Sequence, residues 1–217
     1  MRNALLHSRV IVGKPGTLTP SFTASVPSLV LYPYWNVPRS IMTKELLPKV
    51  RRNPVATLKA MNLQVIDANG REVDPKTVNW YRLTRSGLTR PFPYRLRQST
   101  GCDNALGVLK FKKFNVNSPY DIYLHDTNIR QAFTRENRQL SHGCIRVEKP
   151  AEPANLLLGY TRFGADYLTS CPKNASPKTV VLPRAIPVII TYNVLDMDEA
   201  EAIQVYRDVY GWWRMVL

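Results

Sequence analysis

Short β-forming runs open and close this chain, and a stretch of different character separates them. Arg9-Val10-Ile11-Val12 is an apolar run stopped by Gly13-Lys14-Pro15-Gly16, residues that punctuate a turn. Leu29-Val30-Leu31-Tyr32 and Tyr34-Trp35 follow, and helical spacing is absent over any useful length of the first 43 residues. From Leu106 to Phe114 apolar and basic side chains alternate, as they do on a half-buried strand. Asp121–His125 reads as another strand, ending at Asp126-Thr127. Thr179–Leu182 and Pro187–Tyr192 close the series, with Pro183 and Pro187 suited to an edge because proline cannot donate to a ladder. Glu152–Tyr160 reads as a helix, with Ala154, Leu157 and Leu158 on one side. The fold class is therefore α+β, dominated by β.

Between about residues 40 and 97 the pattern shifts to short helices and loops with little strand. Thr43 is placed to cap a helix running to Val50. Asn53 caps the next, and Pro54 sits at its first position, where the missing N–H costs nothing. Gln64-Val65-Ile66 is a strand leading into an Asn69-Gly70 turn, and Asp74-Pro75 starts a further helical turn. Since β character resumes afterwards, this stretch reads as an insertion. It divides the chain into a discontinuous domain, 1–39 with 98–217, and an inserted subdomain, 40–97.

Thirty basic residues against sixteen acidic ones give a net charge of +14, which suits a polyanionic partner. The basic residues are scattered, with short pairs such as Arg51-Arg52 and Lys112-Lys113, and no helix-turn-helix, zinc-finger or RNP pattern accompanies them. A basic enzyme working in an anionic matrix fits this better than a nucleic-acid binder. No apolar run approaches the roughly 20 residues of a membrane helix. Charge and polarity return too early in Met1–Ser8 for a signal peptide, so the start reads as a strand entering a domain or the cut end of a longer precursor. Of the three cysteines, Cys102 and Cys171 are the pair to suspect of a disulfide in an exported protein, because Cys144 has another use.

That use is set by Ser141-His142-Gly143-Cys144-Ile145-Arg146. Glycine before cysteine lets the backbone turn sharply and present consecutive N–H groups, which can hold an oxyanion while sulfur attacks a carbonyl. A thiol with an ordinary pKa of about 8.5 needs a neighbouring base. His142 is too close in sequence, since its ring would have to fold back across Gly143. His125, nineteen residues upstream at a strand end, can face the sulfur from an adjacent strand. Asp126 is the candidate orienting residue, through its backbone carbonyl or its carboxylate. A His-x-Cys alone is a weak signal, because small buried cysteines are common. Zinc held by His125, His142 and Cys144 is the competing reading. With no Cys-x-x-Cys or His-Glu-x-x-His present, no metal and no cofactor is expected.

His125, fifteen intervening residues, then Ser141-His142-Gly143-Cys144, an apolar residue and Arg146, together resemble the signature of the L,D-transpeptidase (YkuD) catalytic domain. Leu31–Pro38, Leu47–Pro54, Asn104–Gly107 and Ile122–Thr127 are similar to the large Gram-negative, YcbB-like branch, in which a capping lid is inserted after the Trp-Asn-Val-Pro segment. The resemblance covers about residues 9–192. It implies a YkuD-like β-sandwich with an inserted, partly helical cap, acting on peptidoglycan tetrapeptide stems as donor and acceptor. Cys144 would form a thioester at the meso-diaminopimelate–D-alanine bond, and a neighbouring stem's amine would take the acyl group in a 3–3 crosslink. His125 would serve as base and then acid. Ser141, His142, Gly143 and the Cys144 amide would shape the oxyanion site.

Arg146 matches a family position near the substrate carboxylate, with a structural salt bridge as its alternative. Tyr123 and Trp35 would line the cleft or simply pack. The resemblance also implies carbapenems as covalent inhibitors, a periplasmic location and a monomer without membrane insertion. The modules that usually precede this domain in the YcbB-like branch are not in this sequence, as expected of an excised fragment or a shortened relative. Transfer of the same thioester to water, or release of a wall-attached protein, is the alternative activity. A non-catalytic wall- or nucleic-acid-binding module is the alternative class.

Overall fold

A computed structural model of the protein describes residues 6–80, 93–114, 121–164, 166–170, 172, 175–197 and 200–213. The described strands form three sheets. The largest has seven strands: β1 (Val10–Gly13), β2 (Phe22–Leu31), β7 (Leu109–Phe114), β8 (Leu124–His125), β9 (Gln139–Ser141), β10 (Ile145–Val147) and β11 (Lys178–Ile190), in the order β11-β2-β7-β8-β10-β1-β9. The neighbours are antiparallel except β8–β10 and β1–β9, which are parallel. Val26, Leu29, Leu31, Leu109 and Phe111 from the central strands bury their side chains against Ala154 and Leu158 of the helix α4 (Ala151–Leu158). Full burial of each such leucine stabilises the fold by about 2 kcal/mol.

The expected strands at 179–182 and 187–192 are one edge strand, β11, whose register shifts between Val181 and Ile186. Pro183 falls within that irregularity and Pro187 within the edge strand, where the lost donor is tolerated. The expected strand at 121–125 shortens to Leu124–His125, with the Tyr123 carbonyl still accepting from Ile145 N of β10 at 3.0 Å.

The region from Trp35 to Gln98 departs from expectation in one respect. It carries a four-stranded antiparallel sheet ordered β3 (Trp35–Asn36), β6 (Arg95–Gln98), β4 (Leu63–Ile66), β5 (Glu72–Val73), where little strand was foreseen. These strands span two to four residues, too short for alternation to announce them. They are assembled by tertiary packing around a separate apolar core that includes Met42, Leu46, Val50, Leu58, Val65, Trp80 and Leu96.

Helix α1 (Arg39–Ile41) continues through a π turn, Met42–Leu46, into α2 (Leu47–Val50). Thr43 therefore lies inside the helical run, and its hydroxyl donates back to the Arg39 carbonyl at 2.9 Å rather than capping it. Helix α3 (Pro54–Ala60) begins as its sequence dictates, with Asn53 Oδ1 accepting from the Ala56 amide. Fully buried Asn104 donates to the carbonyls of Pro33 and Ser99 and accepts from Leu106 N, fixing the loop between β6 and β7 against the segment that leads into Tyr34-Trp35. Two further strands, β12 (Leu195–Met197) and β13 (Ile203–Val205), pair as an exposed hairpin. Among the described residues no helix is long and apolar enough to cross a membrane.

Candidate active site

The parallel pairing of β8 with β10 places Ile145 opposite Leu124 and Arg146 opposite His125. Cys144, just before β10, thereby lies alongside Tyr123 and two register positions from His125, on the same side of the strand pair. A cavity of about 710 Å³ opens over this junction. Cys144, His125, Tyr123, Arg146, Ser141 and His142 line its floor, and Tyr34, Trp35, Ser40 and Ile41 form the wall contributed by β3 and α1. Trp35 lines the cavity and also packs against the core that includes Met42 and Leu96.

Cys144 is the free cysteine among the described residues. Cys102 is disulfide-bonded; Cys171, its expected partner, lies outside the described residues. The Cys144 sulfur lies 3.9 Å from the Asp121 carbonyl and is hydrogen-bonded by the amide and the hydroxyl of Tyr123. Burial pushes the thiol above its ordinary pKa and the charge of Asp121 adds to this, while Tyr123 and Lys110 act in the opposite direction.

His125 is 4% exposed, and its Nδ1–H donates to the carbonyl of Asp126. That bond leaves Nε2 as the nitrogen able to exchange a proton. Burial pushes the imidazole down to about 3, against the Asp126 carbonyl and with help from Arg146 and Lys110. Both shifts favour the uncharged form, imidazole and thiol alike. The Asp126 carboxylate faces the other way: Oδ2 accepts from Val108 N at 3.0 Å, and Arg130 Nη2 lies 2.8 Å from the group. Of the two orienting roles considered for Asp126, the contact to His125 is made by the backbone carbonyl.

Gly143 adopts φ +110°, a conformation that glycine alone enters freely, and so permits the turn into Cys144. Its amide donates to Ser141 Oγ at 3.1 Å, and Ser141 Oγ donates in turn to the Cys144 carbonyl at 2.6 Å. Ser141 is thus a brace inside the turn. Among the described hydrogen bonds none uses the Cys144 amide, which leaves that N–H as the donor available for an oxyanion. His142 reaches the π turn, its Nε2 2.5 Å from Glu45 Oε1. Arg146 is half-buried at the cavity, and its buried Nε makes no hydrogen bond.

Lys110 was not singled out by the sequence. Its position in an alternating apolar–basic strand reads as a solvated face, yet it pairs with His125 in register and lines the cavity. Its ammonium sits 3.6 Å from the centre of the Tyr123 ring. The signal that could have found it is the pairing itself, because a basic residue opposite His125 shares its face. Among the described residues no cluster of His, Cys, Asp or Glu could hold a metal ion.

Comparison with known proteins agrees with the geometry. Residues 2–182 match YkuD, the L,D-transpeptidase catalytic domain. A protein of Haemophilus influenzae named "Putative L,D-transpeptidase" is 37% identical over 216 residues, which cover 98% of this chain and 41% of that protein. The chain thus spans about two fifths of that relative's length. With its β-dominated α+β fold and a family match over most of its length, the chain belongs to the YkuD family of L,D-transpeptidase catalytic domains.

Proposed function

We propose that this domain forms 3–3 crosslinks between peptidoglycan stems through a thioester on Cys144. The observation that carries the reading is the junction of β8 and β10, where the Cys144 thiol and the buried His125 imidazole, its Nδ1 committed to the Asp126 carbonyl, line one cavity beside the Cys144 amide. His125 Nε2 takes the thiol proton as Sγ attacks the carbonyl carbon of the diaminopimelate–D-alanine bond. The oxyanion is held by Cys144 N–H and the Tyr123 hydroxyl. The C–N bond then breaks, the imidazolium gives its proton to the leaving amine, and D-alanine departs. An amine of a second stem attacks the thioester, loses its proton to His125, and releases Cys144 as a thiol.

The side chain of Arg146, with an unpaired Nε at the cavity, binds a stem carboxylate; Tyr123 and Trp35 contribute walls. Residues 40–97 act as the inserted cap, and 1–39 with 98–217 as the catalytic domain. The separate apolar core supports that division. His142 ties the nucleophile turn to this cap through Glu45, so both sides of the cavity are coupled. The net charge of +14 favours retention in an anionic wall, and membership of the family supports a periplasmic location.

Intact-mass spectrometry after incubation with meropenem, and then with tetrapeptide muropeptides, tests the reading. A mass increase of one opened carbapenem, absent in Cys144→Ala, is expected, followed by crosslinked dimers from muropeptides. Acylation that survives Cys144→Ala rejects the nucleophile, and trimmed stems without dimers reassign the product to hydrolysis.

A further inference from the structure

The carbonyl of Gly143 and the N–H of Cys144 belong to one peptide plane and point in opposite directions. Whatever grips that carbonyl also aims the amide left free for an oxyanion. The grip is the Thr19 hydroxyl, which donates to Gly143 O at 2.8 Å from a buried position. Thr19 Oγ1 is fixed in turn by accepting from Gly13 N at 2.9 Å. The segment between them wraps the nucleophile turn, since Lys14 N and Thr17 Oγ1 both donate to Ser141 O, at 3.0 and 3.2 Å. Gly13 makes this wrap possible, because a Cβ there would lie 2.1 Å from the Thr17 carbonyl.

A single hydroxyl clamps both ends of the wrap. Tyr210 Oη donates to Gly13 O at 2.8 Å and accepts from Thr19 N at 3.4 Å. Tyr210 lies beyond residue 182, where the family match stops. Its ring is held by a self-contained knot: it stacks on Tyr192 at 5.0 Å and against Trp212 at 5.5 Å. Asp208 accepts from the Tyr192 hydroxyl at 2.6 Å and from the amides of Gly211, Trp212 and Trp213.

We infer that Tyr210 is a positioning residue for the reaction: through Gly13 and Thr19 it sets the plane of the Gly143–Cys144 peptide and so the aim of the Cys144 N–H. The inference rests on Cys144 being the nucleophile. It distinguishes two reactions of one sulfur. Acylation by a carbapenem builds an oxyanion and needs the aimed amide, whereas alkylation by iodoacetamide at a tetrahedral carbon does not.

Rates of meropenem acylation and iodoacetamide alkylation, measured by intact mass at one pH together with Tm, test it in wild type, Tyr210→Phe, Thr19→Val and Thr19→Ser. Tyr210→Phe keeps the ring stack and removes only the clamp. It and Thr19→Val should acylate roughly tenfold more slowly or worse, with alkylation within about twofold of wild type, and Thr19→Ser should restore acylation. Folded Tyr210→Phe or Thr19→Val acylating at the wild-type rate overturns the inference, as does a parallel fall of both reactions with Tm. Should Tyr210→Phe not fold, Thr19→Val carries the decision. A wild type that meropenem leaves unmodified removes Cys144 as the nucleophile and this inference with it, whereas normal acylation by both variants leaves Cys144 in place and removes the inference alone.

Discussion

His125 and Asp126 are adjacent in sequence, and the contact between them runs from the imidazole Nδ1–H to the backbone carbonyl, while the Asp126 carboxylate turns to Val108 N and Arg130. A side-chain carboxylate in this place would also stabilise the imidazolium electrostatically, and replacing it by an amide would cost about 10⁴ in rate. A carbonyl fixes the tautomer without contributing a full charge. Asp126→Asn should therefore acylate with meropenem within about tenfold of wild type, while its Tm drops because the Arg130 pairing is lost. A loss approaching that of His125→Ala would show that the carboxylate acts on the imidazole after all.

Lys110 lowers the pKa of Cys144, whose dominant perturbation is burial in the opposite direction. Removing the ammonium leaves burial and the Asp121 charge unopposed from that side. The alkaline midpoint of iodoacetamide alkylation should therefore lie above the ordinary cysteine value in wild type and higher still in Lys110→Met, with Lys110→Arg near wild type. An unchanged midpoint in Lys110→Met would mean that its charge is screened from the sulfur.

Cys144, His125 and Arg146, singled out in the sequence by residue type and short spacing, line one cavity in the structure, and the turn foreseen at Gly143 is present. The four-stranded sheet between Trp35 and Gln98 is not legible, because strands such as Trp35–Asn36 and Glu72–Val73 are too short for period-two alternation and exist through packing on Leu96 and Val65. Lys110 was concealed by its own strand, where alternating lysines read as a wet face until pairing with His125 turns one into the cavity. Tyr210 is separated from Gly13 by nearly the whole chain, and no local pattern marks a hydroxyl that reaches so far.

Arg146 presents a different test. Its guanidinium is drawn below its usual pKa by burial and partly restored by Cys144, and its Nε lacks a partner at the cavity. A buried, under-paired cation is costly unless a ligand completes it. Arg146→Gln should raise KM for the tetrapeptide donor by roughly tenfold to a hundredfold, the loss of a charged hydrogen bond, and should leave Tm unchanged or higher. A fall in Tm with KM intact would assign Arg146 to the structural role instead.

The buried imidazole also ties stability to pH. Its folded pKa, near 3, lies below the ordinary value of 6.5, so between the two the unfolded chain binds a proton that the folded chain refuses. Stability from this group is whole above pH 6.5 and drains away as pH falls toward 3. Asp126 works in the opposite sense, because burial raises its carboxyl and the folded state holds that proton more firmly than the unfolded one near pH 4. The separable range is pH 7 to 5, where His125 titrates in the unfolded chain and an unperturbed aspartate does not. His125→Gln should then lose less Tm than wild type between pH 7 and pH 5, whatever its starting value. Equal slopes in the two proteins would mean that water reaches the ring and that its proton is taken up in the folded state.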